Sequence, residues 1–241
     1  MNNNRMRLDK VLSMSGFGSR KDVKRLVKQG GVYVNKRHAK DPGMQVLPNE
    51  DDIKVFGEKV VYKDFIYIIL NKPKGVITST ADSREVTVID LLEGSFSHRN
   101  LFPVGRLDKD AEGLILLTDN GRLAHKLLAP KSQIEKTYYV EVDGNLDESD
   151  TQAFAKGIEL DDFKALPASL KILRCGPRSA AQLTIYEGKF HQVKKMMEAR
   201  GRQVTYLKRL SIGPLVMDKS LAPGEWRELT DAEIKALLTA C

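Results

Sequence analysis

The sequence predicts an α+β protein in two parts: a small basic N-terminal module, then a larger domain whose mixed, mostly antiparallel sheet is flanked by helices. Three observations carry this. Residues 1–40 hold eleven Lys and Arg against two Asp and Glu, so of the net charge of +7 everything after residue 40 carries −2. Beyond residue 66, strand and helix patterns mix irregularly, without the βα repeat that builds a parallel sheet. Finally, 241 residues with 41% hydrophobic and 29% charged suffice for two modest domains with cores of their own.

The same composition excludes several classes. No apolar run approaches the ~20 residues that span a bilayer, and the start MNNNRMRLDK lacks the apolar core of a signal peptide, so a cytoplasmic, membrane-free protein is expected. Cys175 and Cys241 lie 66 positions apart with no CxxC, which indicates neither a disulfide framework nor a structural zinc. There is no Gly-rich phosphate loop and no HExxH, so neither nucleotide-fuelled nor zinc chemistry is expected. A basic patch on a near-neutral body suits a polyanion, RNA or DNA; the bland alternative is a solvated helix face.

Taken in order, Leu8, Val11 and Leu12 share a helical spacing over Arg7–Ser15, and the GFG at 16–18 stops that run. Ser19-Arg-Lys-Asp22 is a capping box, predicting a second helix from Arg20 with Val23, Leu26 and Val27 on one face and Lys21, Lys24, Arg25 and Lys28 on the other, closed by Gly30-Gly31. Val32–Val34 reads as a strand, Asn35-Lys36 as a turn, and Met44 to Val60 as further short strands. The module is placed at residues 1–59, a short linker at 60–65, and the second domain at 66–241. There, strands are expected at 67–70, 113–118, 137–142, 168–173 and 181–186, with helices at 122–128, 149–156 and 191–200. A last helix follows the capping box Thr230-Asp-Ala-Glu233.

Chemistry concentrates in two segments. In PVGRLDKDAEGLILLTDNG (103–121), Asp108, Asp110 and Glu112 fall within five positions. They mimic the first half of a calcium-binding loop, with Asp119 at the closing position. Pro103 and Gly105, however, deny the loop its entering helix, and the residues that follow read as strand; a solvated acidic turn is the other alternative. In EGKFHQVKKMM (187–197) a tight turn enters a helix; taken alone, Lys194 and Lys195 are a helix's polar face and His191 a capping or surface histidine.

In combination these segments resemble a known family. GRLD at 105–108, HQVKKM at 191–196, NKPKG at 71–75, KTYYV at 136–140 and RLSIGP at 209–214 resemble the pseudouridine synthases, specifically the RsuA branch that modifies small-subunit ribosomal RNA. RLDKVL, GFGSRKDVKRLVKQGGVYVN and DDIKVFG in the N-terminal part resemble the αL RNA-binding module of a small-subunit ribosomal protein. The resemblance runs over the whole chain with the motifs in order. It departs at Ala111, where a threonine is expected, and at Thr118-Asp119-Asn120-Gly121, where the family order is Thr-Asn-Asp-Gly.

The resemblance implies that a uridine in ribosomal RNA is isomerised without cofactor after the base is flipped out of its stack. The implied target is the small subunit, uridine 516 of the 16S RNA, as free RNA or in an assembly intermediate; a large-subunit target and a non-catalytic RNA-binding or assembly factor are the alternatives. Asp108 becomes the catalytic carboxylate, as nucleophile at C1′ or as the base that forms a glycal; Lys194 becomes the cation that keeps it ionised, and Tyr138 the residue facing the uracil. The implied RNA contacts are Arg7, Lys10, Ser19, Arg20, Lys21, Lys24 and Arg25 in the module, and Lys72, Arg106, His191 and Gln192 in the second domain. A monomer is expected. A metal-dependent nuclease on Asp108, Asp110 and Glu112 remains a third reading.

Overall fold

Ser19 caps the helix Arg20–Lys28: its hydroxyl accepts from the Asp22 amide at 3.3 Å while the Asp22 carboxylate accepts from the Ser19 amide at 3.0 Å. That reciprocal cap starts the helix where the sequence predicts, and it turns Val23 and Val27 inward against Leu8, Val11 and Leu12 of the helix Leu8–Met14. The strand Val32–Val34 buries Val32 and Val34 in the same core and pairs antiparallel with Arg37–His38 and with Ile53–Val55. Asn35 and Lys36 between them both take left-handed φ values, 49° and 64°, as a tight hairpin turn requires.

The computed structural model describes residues 5–240. They divide into two units, one comprising the chain up to Phe65 with Gly94–Asn100, the other Ile66–Glu93 and the chain from Leu101 onward. In the first unit Gly94–Asn100 is fastened by Arg99, 7% exposed, whose guanidinium donates to the Met14, Lys63 and Asp64 carbonyls at 3.0–3.1 Å. Nothing in local sequence marks that segment as part of this unit.

The second unit is built on a nine-stranded sheet. Its main spatial order is Ser169–Arg174, Arg178–Ile185, Lys136–Asp143, Gln203–Ile212, Glu112–Thr118, Tyr67–Lys72 and Trp226–Glu228. Every pairing is antiparallel except that of Gln203–Ile212 with Glu112–Thr118, which is parallel, so the sheet is mixed as expected. Helices Gly121–Leu128, Glu148–Lys156, Gln192–Glu198 and Asp231–Thr239 accompany it, the last capped by the expected Thr230 and Glu233 box. Tyr67, Ile69, Leu114, Leu116, Leu123, Leu127 and Leu237 belong to its main apolar core.

Sequence reading misses the ten-residue strand Gln203–Ile212, although it lies between two partners in the middle of the sheet. The reason is Arg209: a cation, 2% exposed, occupies an inward position and breaks the apolar alternation. Irregularities opposite Thr137/Tyr138 and Glu141/Val142 shift the phase further. Where the parallel pair meets, Gly113 has φ +103°, and a Cβ there would lie 2.3 Å from the Arg209 carbonyl oxygen and 2.7 Å from its nitrogen. Both atoms are backbone and cannot rotate away. Gly113→Ala is therefore expected to destabilise the second unit by about 3 kcal/mol or more, read as a lowered urea midpoint.

Among the described residues no helix is long and apolar enough to cross a membrane. Cys175 is an exposed free thiol, and Cys241 lies outside the described residues.

Candidate active site

The strand Tyr67–Lys72 is buried throughout and delivers Lys72 to the back of the Asp108 loop. The lysine is fully buried, and its Nζ donates to the carbonyls of Ala111, Pro73 and Lys109 at 2.7, 3.0 and 3.3 Å. The Gly75 amide donates to the same Lys109 carbonyl at 2.8 Å, and the Thr78 hydroxyl both donates to the Leu107 carbonyl at 2.8 Å and accepts from its amide at 3.1 Å. The NKPKG motif and the residues after it thus form a frame that holds the loop from 107 to 111. Lys72, expected as an RNA contact, is corrected to a clamp: with no exposed surface it cannot reach a phosphate. Burial pulls its ammonium down to about 8, outweighing the attraction of Asp110, Glu112 and Asp108.

In front of this frame, Asp108 meets the helix that the HQVKKM segment opens. Lys194 Nζ lies 3.1 Å from Asp108 Oδ2 and 2.7 and 2.9 Å from the two oxygens of Asp110. Burial works against the Lys194 charge, but its hydrogen bonds to Asp110 and Asp108 prevail and its pKa is raised; Asp110, hydrogen-bonded to Lys194, is held below the usual carboxylate range. One ammonium is thus shared by two carboxylates. His191 Nε2 lies 3.5 Å from the other Asp108 oxygen, from a left-handed backbone position (φ 52°), its ring stacked on the exposed Phe190 with centroids 3.8 Å apart.

Asp108 and Lys194 open on a cleft that Arg106, Tyr138, Lys136, His191, Gln192 and Arg209 also line. The lining combines an apolar wall with a few charged groups. The structure therefore brings together Asp108, Tyr138, Lys194, Arg106, His191 and Gln192, as the sequence expects. Gln192 is 3% exposed, and its amide accepts from the Lys189 amide at 3.0 Å and donates to Glu187 at 2.7 Å, so it shapes the turn at the edge of the cleft. Sequence reasoning passes over Asp110 as the second partner of Lys194, and Lys136 and Arg209 as buried cations on the cleft. The only signal for the last two is their place inside the KTYYV and RLSIGP motifs.

The three acids do not converge. Asp108 and Asp110 turn to Lys194, whereas Glu112, already in a strand, accepts from the Tyr206 hydroxyl at 2.7 Å; burial and that hydrogen bond push the Tyr206 pKa up. Among the described residues no group of three or more His, Cys, Asp or Glu is placed to hold a metal ion.

In the first unit, Arg7, Lys10, Ser19, Arg20, Lys21, Lys24 and Arg25 are all exposed. Three of them have internal contacts: Arg7 makes a bidentate contact to the buried Asp9 at 2.8 and 3.1 Å, Ser19 is the helix cap, and Arg25 lies 3.5 Å from Asp22. Lys10, Arg20, Lys21, Lys24 and Arg25 supply the basic face.

The chain matches the RNA pseudouridylate synthase family over residues 66–199 and the S4 domain over residues 6–52. It is 47% identical to the uncharacterized RNA pseudouridine synthase YtzG of Bacillus subtilis, the alignment covering 96% of this chain and 98% of that protein. It is 38% identical to ribosomal large subunit pseudouridine synthase B of Bacillus subtilis, covering 96% and 95%, and 36% identical to ribosomal small subunit pseudouridine synthase A of Escherichia coli K12, covering 97% and 100%. Among solved structures, a pseudouridylate synthase crystal structure matches with a TM-score of 0.67 at 36% identity, covering 96% of this chain and 99% of that one.

Proposed function

The chain belongs to the RNA pseudouridylate synthase family and is a pseudouridine synthase with an S4 domain, and we propose that it isomerises one uridine of small-subunit ribosomal RNA, uridine 516 of the 16S RNA. The observation that carries the chemistry is Asp108 facing a cleft with Lys194 3.1 Å from one oxygen and Tyr138 on the same lining. The similarity to small-subunit synthase A over its whole length and the HQVKKM form support the small-subunit target. The enzyme acts as a cytoplasmic monomer on free RNA or on an assembly intermediate, with no cofactor.

In this reading the target base leaves its stack and enters the cleft, because C1′ and C5 cannot be reached inside a helix. The C1′–N1 bond breaks and its electron pair stays on the uracil. Asp108 takes up the electron deficiency of the sugar, either by bonding to C1′ or by accepting the C2′ proton to leave a glycal. The uracil turns and C5 bonds to C1′ while Asp108 either leaves C1′ or returns its proton to C2′; the C5 proton is then lost and N1 ends protonated. Atoms balance without a redox step. Lys194 holds the Asp108 carboxylate through the contact at 3.1 Å, and Tyr138 faces the ring and assists removal of the C5 proton.

The test is tritium release from ribosomal RNA labelled at uracil C5. Release from small-subunit but not large-subunit RNA is the expected result, with the product mapped to the one position. Release from large-subunit RNA alone would move the target to the other branch, in line with the similarity to large-subunit synthase B. Binding without release from either RNA or from assembly particles would favour a non-catalytic factor.

The basic face of the first unit supplies affinity through phosphate. Replacing Lys21, Lys24 and Arg25 together by Ala is expected to weaken RNA binding and to flatten the slope of log K against log salt by about 2 to 3, at roughly 0.7–0.9 per lost phosphate contact. An unchanged slope, measured by filter binding, would remove these residues from the interface.

A further inference from the structure

The cleft holds two cations that the reaction scheme above leaves without a task. Lys136 is 8% exposed and Arg209 2% exposed, and both line the cleft. Arg209 Nε donates to the Leu114 carbonyl at 2.8 Å, but its Nη2 is buried with no hydrogen-bond partner among the described residues. Lys136 Nζ donates to the Ile134 carbonyl at 3.0 Å. Burial first, and the neighbouring Arg209 second, lower the Lys136 pKa. Two like charges removed from water, one with a donor that no protein group accepts from, are unfavourable by themselves. Such an arrangement is retained where a ligand brings the missing electron density.

Position identifies the ligand. Arg209 is the direct cross-strand partner of Tyr138, and Lys136 lies two residues before Tyr138 on the same strand, so all three side chains share one face of the sheet. If Tyr138 faces the uracil, the two cations lie under the base. Backbone phosphates have other partners, since Arg106, Lys189 and His191 are exposed on the same cleft.

We propose that Arg209, assisted by Lys136, donates from the cleft floor to a uracil carbonyl oxygen and stabilises the uracil anion released when the C1′–N1 bond breaks. The electron pair of that bond passes to N1 and spreads over the two carbonyl oxygens; a fixed guanidinium there is worth more in the transition state than in the neutral substrate. The negative charge is discharged when C5 bonds to C1′ and its proton leaves for N1 by way of solvent. This inference rests on the reaction proposed above and adds a catalytic residue to it.

The experiment uses the full-length enzyme and ribosomal RNA carrying either uridine or 5-fluorouridine at the target, in single turnover, for wild type, Arg209→Met, Arg209→Lys and Lys136→Met. RNA affinity and thermal melting are measured on each. Loss of the target nucleoside is followed after nuclease digestion. Arg209→Met is expected to slow conversion of uridine by about 10²–10³-fold with affinity nearly unchanged, Arg209→Lys by less. Fluorine stabilises the departing anion, so the defect on 5-fluorouridine should be at least about tenfold smaller than on uridine. Equal defects on both substrates, or a loss confined to RNA affinity, would overturn the assignment, and so would unimpaired turnover by Arg209→Met. If Arg209→Met does not fold, Arg209→Lys and Lys136→Met decide by the same comparison. Wild-type enzyme inert on every ribosomal RNA would instead refute the proposed reaction.

Discussion

Asp108→Asn is expected to lower pseudouridine formation by on the order of 10⁴-fold or more, with RNA affinity changed by no more than about twofold. The amide has the shape of the carboxylate, and Lys194 keeps its partner Asp110 at 2.7 Å, so the cleft retains its form. A neutral amide can neither bond to C1′ nor take the C2′ proton, and both routes open to the carboxylate close together. Single-turnover tritium release with parallel binding measurements separates chemistry from affinity. A residual rate within about tenfold of wild type would mean that another group carries the reaction.

Lys194→Met is expected to have the second-largest effect. Methionine replaces much of the lysine stem and removes the charge that Asp108 and Asp110 share. Without it the two carboxylates repel, and one of the pair keeps a proton to higher pH. The rate at pH 7 should fall by about 10²–10³-fold, and the acidic limb of the rate profile should move up by at least about one pH unit. Lys194→Arg should restore part of both. An equal rate loss with an unmoved acidic limb would show that Lys194 serves only to hold the loop.

The same pair links stability to pH. Lys194 has a raised pKa, so its contribution is complete below the ordinary lysine range and is lost only as pH rises through the higher folded value. Asp110 has a lowered pKa, so its contribution is present above the ordinary carboxylate range and is lost as pH falls through the folded value. Wild type should therefore exceed Lys194→Met in urea midpoint across neutral pH, with the gap closing at both extremes. The Asp110 side chain is 57% exposed and solvent screens it, so the gap is small and measurable only by comparison across pH.

Much of this protein is legible without coordinates where the determining contacts lie within a few residues. The capping boxes at Ser19 and Thr230 place helix starts to the residue, because the interacting groups are three positions apart. The GRLD and HQVKKM segments are separately ambiguous, an acidic turn and a polar helix face. They become a site only as a combination, and the structure joins them at 3.1 Å between Lys194 and Asp108.

Charged residues turned inward are the part that sequence misreads. Lys72 resembles any exposed lysine until the carbonyls of Pro73, Lys109 and Ala111 gather round it. Arg209 hides the central strand Gln203–Ile212 by standing where an apolar residue would be counted. Arg99 ties Gly94–Asn100 to carbonyls 35 or more positions away. Sequence by itself therefore determined the two-part α+β organisation, the helix starts, the basic residues of the first unit and the two segments that carry Asp108 and Lys194. Tertiary structure alone decided which charges lose their water, because a charge can leave water only where distant segments supply acceptors or leave a place for a ligand to do so.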